Sequence, residues 1–170
     1  LKKFKKSASN LLEMKPLEVI INDQDHKIYN RDSNDLIKEI ECDVLYLDPP
    51  YNQRQYATNY HMLETNAKYD EPKISGKTGL REYSKQKSEY CSRLGVKKAF
   101  EELINNAKTK YIFLSYNNEG LLSESDIKEV MSKKGKYKCY KKEYSRFKAD
   151  SSRNHKADST FEYLHTVVCN

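Results

Sequence analysis

The four residues Asp48-Pro49-Pro50-Tyr51 have the clearest chemical potential in the sequence. They directly follow the apolar run 44–47, and ligands of open α/β sheets bind at such carboxyl ends of strands. The Asp48 carboxylate and the Pro49 backbone carbonyl, which the two prolines hold rigid, can each accept a hydrogen bond from one aromatic amine. Two acceptors draw the nitrogen toward a tetrahedral shape and free its lone pair. The motif therefore indicates a site that makes an exocyclic amine nucleophilic.

Tyr51 adds an aromatic face beside these two acceptors. Stacking of a base on such a ring contributes about 1–3 kcal/mol in sites that bind single strands. A base of a duplex must first be extruded to reach the ring. The alternative interpretation is a plain turn with a proline at its corner. The position directly after an apolar strand favours the chemical interpretation.

The residues that lead to the motif predict an α/β sheet. The continuous apolar run 44–47 is typical of a central parallel strand that is buried on both faces. Before it, Asp32 or Ser33 can cap a short helix. The residues His26 to Asn30 can form the strand that precedes this helix. Together these patterns predict a strand, a helix and a second strand.

Helix and strand patterns continue after the motif. Apolar residues recur at helical spacing from Val96 to Ala107, and the run 111–114 predicts the next buried strand. Ser123 and Asp126 predict a helix that starts with a capping box, and Gly135 predicts its end in the left-handed conformation.

Two further strand patterns, 137–147 and 161–169, close the sequence and are joined without a helix. Such a pair must be antiparallel. We therefore expect an α/β sheet that is mostly parallel and has an antiparallel C-terminal strand pair. The polar stretch 52–93 is too long for a simple connection, and we expect a functional or mobile insertion there.

Composition limits the class of protein. With 170 residues, 33% charged and 37% hydrophobic, the chain fits one polar globular domain. No apolar run approaches the roughly 20 residues of a membrane span and no signal peptide is visible, so we expect a cytoplasmic protein without a membrane partner. The four cysteines and four histidines share no ligand spacing, so we expect no metal.

The net charge of +6 is concentrated near the C-terminus. Ten basic residues and two acidic residues lie between Lys133 and Lys156. A polyanionic partner and a solvated basic face both remain consistent with this pattern.

The stretch 43–52, DVLYLDPPYN, resembles the catalytic motif of adenine-specific DNA methyltransferases that use S-adenosylmethionine. The chain is similar to the C-terminal portion of the Dam-like class. Further similar segments are Tyr29 to Ser33, the Tyr- and Asn-rich segment 55–61, YIFLSYNN from Tyr111 to Asn118, and the strand residues Arg146-Phe147 and Phe161 to Leu164. The resemblance implies a partial Rossmann-like methyltransferase sheet and double-stranded DNA as the substrate.

The resemblance also implies roles for individual residues. Asp48, Pro49, Pro50 and Tyr51 are expected to be catalytic, and Asp32, Ser33 and Asp48 to contact the cofactor. Tyr51 and Phe147 are expected to stack on the target base. Three basic residues are expected to contact the DNA backbone: Arg54, Arg153 and Lys156.

One departure from the family pattern concerns glycine. The family has a glycine-containing loop after its first strand, where backbone approaches the cofactor closely, but the first glycine here is Gly76. We therefore expect residues 1–170 to be the C-terminal portion of one catalytic domain, with a poorly defined start at 1–25 and an insertion at 52–93. Besides double-stranded DNA, the expected partner is a cognate restriction endonuclease or the missing N-terminal half.

Two other functions remain open from the sequence. One is a non-catalytic module that binds nucleic acid, in which the motif is a relic. The other is a methyltransferase that acts on RNA adenine or on a protein amide. The Asp at the first position of the motif, together with its flanking residues, favours DNA.

Overall fold

The computed structural model describes residues 15–145 and 159–170. The chain divides into two units, residues 1–30 and 31–170. In the first unit, the described residues 15–30 form neither helix nor strand. The predicted strand at His26 to Asn30 is therefore wrong. A strand needs a neighbour for its backbone hydrogen bonds, and these residues pair with no strand in the described part of the chain.

The second unit contains alternating helices and strands, as the sequence predicts. Two short 3₁₀ turns, Ser84–Gln86 and Glu89–Cys91, precede the fourth helix. The elements are, in chain order, α1 (Ser33–Leu36), β1 (Glu41–Leu47), α2 (Tyr56–Asn59), α3 (His61–Lys68), α4 (Val96–Asn106), β2 (Lys108–Asn117), α5 (Glu124–Ser132), β3 (Gly135–Ser145) and β4 (Ser159–Cys169).

The four described strands form one sheet in the order β1-β2-β4-β3. β1 pairs in parallel with β2, while β4 is antiparallel to both β2 and β3. Three of the strands therefore run in one direction and β4 runs against them. This confirms the predicted α/β sheet with an antiparallel C-terminal pair.

The hydrophobic core lies on one face of this sheet. Ile112 and Leu114, two alternate residues of β2, are 0% exposed and belong to the same core cluster as apolar side chains of α4 and α5. These helices contribute Phe100, Ile104 and Met131, which are at most 1% exposed. The helical spacing of apolar residues from Val96 to Ala107 thus predicts the buried face of α4 correctly.

The other face of the sheet is largely exposed at β1. Val44 and Tyr46 are 53% and 62% exposed, and β1 is one of the two edge strands of the described sheet. The prediction of a central strand buried on both faces is therefore wrong. A continuous apolar run shows that a strand can be covered on both sides, but the described residues supply a neighbour and a covering layer on one side only.

Local capping signals are confirmed at two helices. The Asp32 side chain accepts hydrogen bonds from the backbone N–H groups of Asn34 and Asp35, at 2.8 and 3.3 Å, and so caps α1. Ser123 and Asp126 form the reciprocal capping box of α5.

Gly135 has a different role from the predicted one. α5 ends at Ser132, followed by Lys133 in the right-handed region with φ −67°, and Gly135 opens β3. A Cβ at this position would collide with the carbonyl oxygen of Val168 on β4. The glycine is thus required by the close approach of two strands, not by the end of the helix.

The polar stretch 52–93 contains regular structure. α2, α3 and both 3₁₀ turns lie within it, and an isolated bridge joins Ser75 to Leu80. Among the described residues, no helix is long and apolar enough to cross a membrane. No group of acidic, histidine or cysteine side chains in the same residues is arranged to hold a metal ion.

Candidate active site

The Asp48-Pro49-Pro50-Tyr51 segment directly follows the carboxyl end of β1, at the end of the sheet where β2 also ends. Leu47 lies opposite Leu114 of β2, so the segment emerges beside the last residues of β2. The Asp48 side chain is exposed. The Tyr51 carbonyl accepts a hydrogen bond of 2.9 Å from the backbone N–H of Leu121, which fixes the end of the segment to the loop after β2.

The Tyr51 ring packs on a rigid neighbour. Its centroid lies 6.3 Å from that of Tyr116, with the rings at 80° in an edge-to-face arrangement. Tyr116 is only 2% exposed, and its hydroxyl accepts a 3.2 Å hydrogen bond from the backbone N–H of Leu122. Tyr51 itself remains 38% exposed. A supported aromatic surface therefore stands next to the Asp48 carboxylate.

A second carboxyl group, that of Glu162 on β4, lies at the same end of the sheet. It is half-buried and lies opposite Asn117, the last residue of β2. Burial raises the pKa of Glu162, and the negative charge of Asp48 raises it further. The site therefore contains the exposed Asp48 side chain and a half-buried carboxyl group, Glu162, whose pKa is raised. Glu162 could not be recognised from the sequence, because its approach to Asp48 depends on the pairing of three strands.

Asp32 and Ser33 lie at the start of α1, as predicted. Both capping bonds of Asp32 end on its Oδ1 atom, which leaves Oδ2 outside the capping interaction. The helix start is held in place through Asn34, whose side chain donates to the Ala99 carbonyl at 2.8 Å and accepts from the Tyr90 hydroxyl at 2.9 Å. A cofactor role for Asp32 and Ser33 stays a prediction.

The predicted contacts to DNA and to the base fall in two groups. Arg54 is described and exposed, and it lies in the chain between the Asp48–Tyr51 segment and α2. The other three residues, Phe147, Arg153 and Lys156, lie outside the described residues. Their roles stay predictions.

A pair of tyrosines close to the Asp48–Tyr51 segment is a further candidate for the site. The rings of Tyr56 and Tyr60 stack with centroids 5.7 Å apart and an angle of 14° between their planes. Burial raises the pKa of the Tyr56 hydroxyl, and the charge of Asp48 adds to this effect. Tyr56 opens α2 and Tyr60 directly follows its last residue, so the four-residue spacing is a sequence signal from which this pairing follows.

The arrangement of the Asp48 carboxylate, the Pro49 carbonyl and the Tyr51 ring agrees with the similarity of the chain to known proteins. The sequence profile of one family, D12 class N6 adenine-specific DNA methyltransferase, matches residues 1–130. The chain is a member of this family. The resemblance stated from the motif is thereby confirmed.

Two relatives named Type II methyltransferases match nearly the whole chain. Type II methyltransferase M.NlaIII of Neisseria lactamica is 54% identical over 98% of this chain and 50% of its own length. Type II methyltransferase M.FokI of Planomicrobium okeanokoites is 43% identical over 96% of this chain and 26% of its own length. The chain thus spans half or less of these relatives. No solved structure matches it.

Proposed function

We propose that this chain forms part of an enzyme that transfers a methyl group from S-adenosylmethionine to the exocyclic amino group of adenine in double-stranded DNA. The observation that carries the proposal is the Asp48-Pro49-Pro50-Tyr51 segment at the carboxyl end of β1, in a chain of the D12 class. The similarity to enzymes named Type II methyltransferases supports the same chemistry.

The residues of this segment prepare the amine. The Asp48 carboxylate and the Pro49 carbonyl each accept a hydrogen bond from one N–H group of the amine, which localises the lone pair on nitrogen. Tyr51, supported by Tyr116, stacks on the extruded adenine and fixes the direction in which the lone pair points. As the nitrogen bonds to the methyl group, the methyl–sulfur bond would break and the sulfur would leave as a neutral thioether. The nitrogen would then release one N–H proton to solvent. Asp48 is expected to act mainly in the transition state, because its interaction strengthens as the amine becomes tetrahedral.

S-adenosylmethionine supplies an activated methyl group when it is bound. The Asp32 Oδ2 atom, which takes no part in capping α1, is a suitable acceptor for the amino group of the cofactor's adenine. The Ser33 backbone N–H and the Asp48 side chain are the other groups of this chain that would contact the cofactor. Since the first glycine is Gly76, these contacts cover only one end of the cofactor.

A second chain segment is proposed to complete the domain. β1 has no neighbour on its outer side within the described sheet, and the relatives are about twice as long as this chain or longer. We propose that the N-terminal half of such an enzyme pairs there. In the complete protein, Arg54, Arg153 and Lys156 contact the DNA backbone and Phe147 stacks on the target base. We place this enzyme in the cytoplasm, beside a cognate restriction endonuclease.

The test is methyl transfer from radiolabelled S-adenosylmethionine by the complete enzyme, with duplex DNA and RNA as parallel substrates. Asp48→Ala should lower kcat at least about 100-fold, as the loss of one preorganised hydrogen-bonding group does elsewhere. Its dissociation constant for DNA should stay within about twofold. The matched control is Asp43→Ala, which removes an exposed carboxylate of β1 that pairs with Lys110 at 2.7 Å.

The outcomes separate the alternatives. Near-normal turnover of Asp48→Ala contradicts the catalytic role. Transfer to RNA alone supports the RNA methyltransferase. DNA binding without any transfer by the wild type supports the non-catalytic module. An equal loss of activity in Asp43→Ala shows that β1 is damaged as a whole rather than at its chemical end.

A further inference from the structure

The stacked pair Tyr56 and Tyr60 forms one wall of a cleft next to the catalytic segment. The two side chains are 54% and 52% exposed, so their rings are only partly covered by each other. The cleft has a volume of about 230 Å³ and has a third tyrosine, Tyr83, in its lining. The positive charge of Lys87 lies 5.8 Å from the centre of the Tyr83 ring. Exposed aromatic faces of this kind are typical of surfaces that bind unstacked bases.

The cleft is fixed to the rest of the second unit. The Gln55 side chain, directly before α2, accepts a hydrogen bond from the Ser88 N–H at 2.8 Å and donates one to the Ser88 carbonyl at 3.2 Å. The adjacent Tyr90 is 8% exposed and belongs to the core. Only four residues separate Tyr51 from Tyr56 along the chain. The tyrosine pair therefore lies on a preformed support close to Asp48.

The two cations that line the cleft are already paired with carboxylates. Arg81, whose side chain is 12% exposed, pairs with Asp70 at 2.5 Å, and Lys68 pairs with Glu64 at 2.8 Å. The Glu82 carboxylate accepts a 2.7 Å hydrogen bond from the Ser84 N–H. A phosphate needs cations that are not already neutralised. A neutral aromatic ligand fits this lining better than a phosphate does.

We propose that the Tyr56–Tyr60 cleft binds a second nucleobase of the DNA, one that leaves the duplex stack when the target adenine enters the site at Asp48. This inference rests on the proposed function, because it takes DNA as the substrate. It adds a base-binding position that is separate from the stacking surface of Tyr51. The energy of stacking in the cleft helps to hold the distorted duplex open.

The experiment measures binding and contact directly on the 170-residue chain. A fluorescein-labelled single-stranded oligonucleotide is titrated by fluorescence anisotropy against the wild type, Tyr56→Phe and Tyr56→Leu. Loss of the ring in Tyr56→Leu should weaken binding about 5- to 150-fold, the range that one stacked base contributes. Tyr56→Phe keeps the ring and should bind within about twofold of the wild type. Tyr69→Leu is the control, because Tyr69 is 96% exposed and lies outside the cleft lining.

Photocross-linking then locates the base. The oligonucleotide carries 5-iododeoxyuridine, and mass spectrometry of the cross-linked peptides should identify α2 or α3. Cross-links to Tyr51 alone, equal binding by all variants, or no binding by the wild type each overturn the inference. Weak binding by Tyr56→Phe also overturns it, since the hydroxyl rather than the ring would then be the contact. Circular dichroism verifies folding, and Tyr60→Leu replaces Tyr56→Leu if that variant unfolds. The catalytic role of Asp48 is measured separately by methyl transfer and survives a failure here.

Discussion

Lowering the pH from 7.5 to 5 should destabilise the protein through one buried side chain, His165 on β4. Its ring is 0% exposed, and its Nδ1 atom lies 2.7 Å from the Tyr137 hydroxyl. Its Nε2 atom is buried and has no hydrogen-bond partner. Burial lowers the pKa of His165 from 6.5 to about 4. The folded protein therefore holds this histidine neutral at a pH where the unfolded chain protonates it.

The sign and size of the effect follow from linkage. The contribution of neutral His165 to the free energy of unfolding is fully present above pH 6.5, the pKa in the unfolded chain. It is lost progressively as the pH falls toward about 4, the pKa in the folded protein. Each pKa unit corresponds to about 1.4 kcal/mol, so the complete loss amounts to about 3 kcal/mol. Between pH 7.5 and pH 5, most of this titration occurs in the unfolded chain. We expect the free energy of unfolding to fall by about 2 kcal/mol over that interval.

The assay is urea unfolding at pH 7.5 and pH 5, followed by far-UV circular dichroism, because the chain has no tryptophan. The comparison variant is His165→Gln, which removes the titrating ring but keeps a side chain able to bond with Tyr137. Its absolute stability will be lower, but its loss between the two pH values should be smaller by about 2 kcal/mol. Glu162 works in the opposite direction in both proteins, because its pKa is raised in the folded state.

Equal pH dependence in the wild type and His165→Gln would refute the reasoning. If the variant does not fold, NMR titration of the His165 ring protons in the wild type decides instead. A pKa near 6.5 in the folded protein would then show that the ring is hydrated, contrary to its burial among Tyr137, Tyr163 and the sheet.

Two further predictions concern the cofactor and the sheet. Calorimetric titration of the 170-residue chain with S-adenosylmethionine should show millimolar binding or none, because few contacts must offset an association cost of about 4–15 kcal/mol; a micromolar dissociation constant would contradict this. Gly135→Ala should reduce the free energy of unfolding by about 1–3 kcal/mol, since the added Cβ meets the Val168 carbonyl; unchanged stability in urea would show that β3 and β4 can separate without cost.

The features that the sequence predicts correctly are governed by neighbours along the chain. Asp32 caps α1 through N–H groups two and three residues away, and Ser123 with Asp126 closes its capping box over three residues. The apolar period of α4 likewise selects its buried face. Such short-range hydrogen bonds and periodicities are contained in a few consecutive residues, so they are readable before the fold is known.

The features that could not be predicted depend on distant segments. Whether Val44 and Tyr46 are covered is decided by what packs on β1, not by their own hydrophobicity. Glu162 approaches Asp48 only because β4 lies next to β2. Gly135 is of the residue type that commonly ends a helix, but its role depends on the close approach of Val168, 33 residues later in the sequence.

The uneven charge of β1 selects what can join its outer edge. Its first half carries Glu41 and Asp43 and its second half is apolar. On the inner side, β2 complements these charges: Lys108 lies opposite Glu41, and Lys110 forms a salt bridge of 2.7 Å with Asp43. Two copies of β1 aligned in parallel would instead place like charges opposite each other, which is destabilising. The edge therefore disfavours parallel self-pairing. Among foreign strands that run parallel to β1, it accepts most readily one that begins with basic residues and ends with apolar ones.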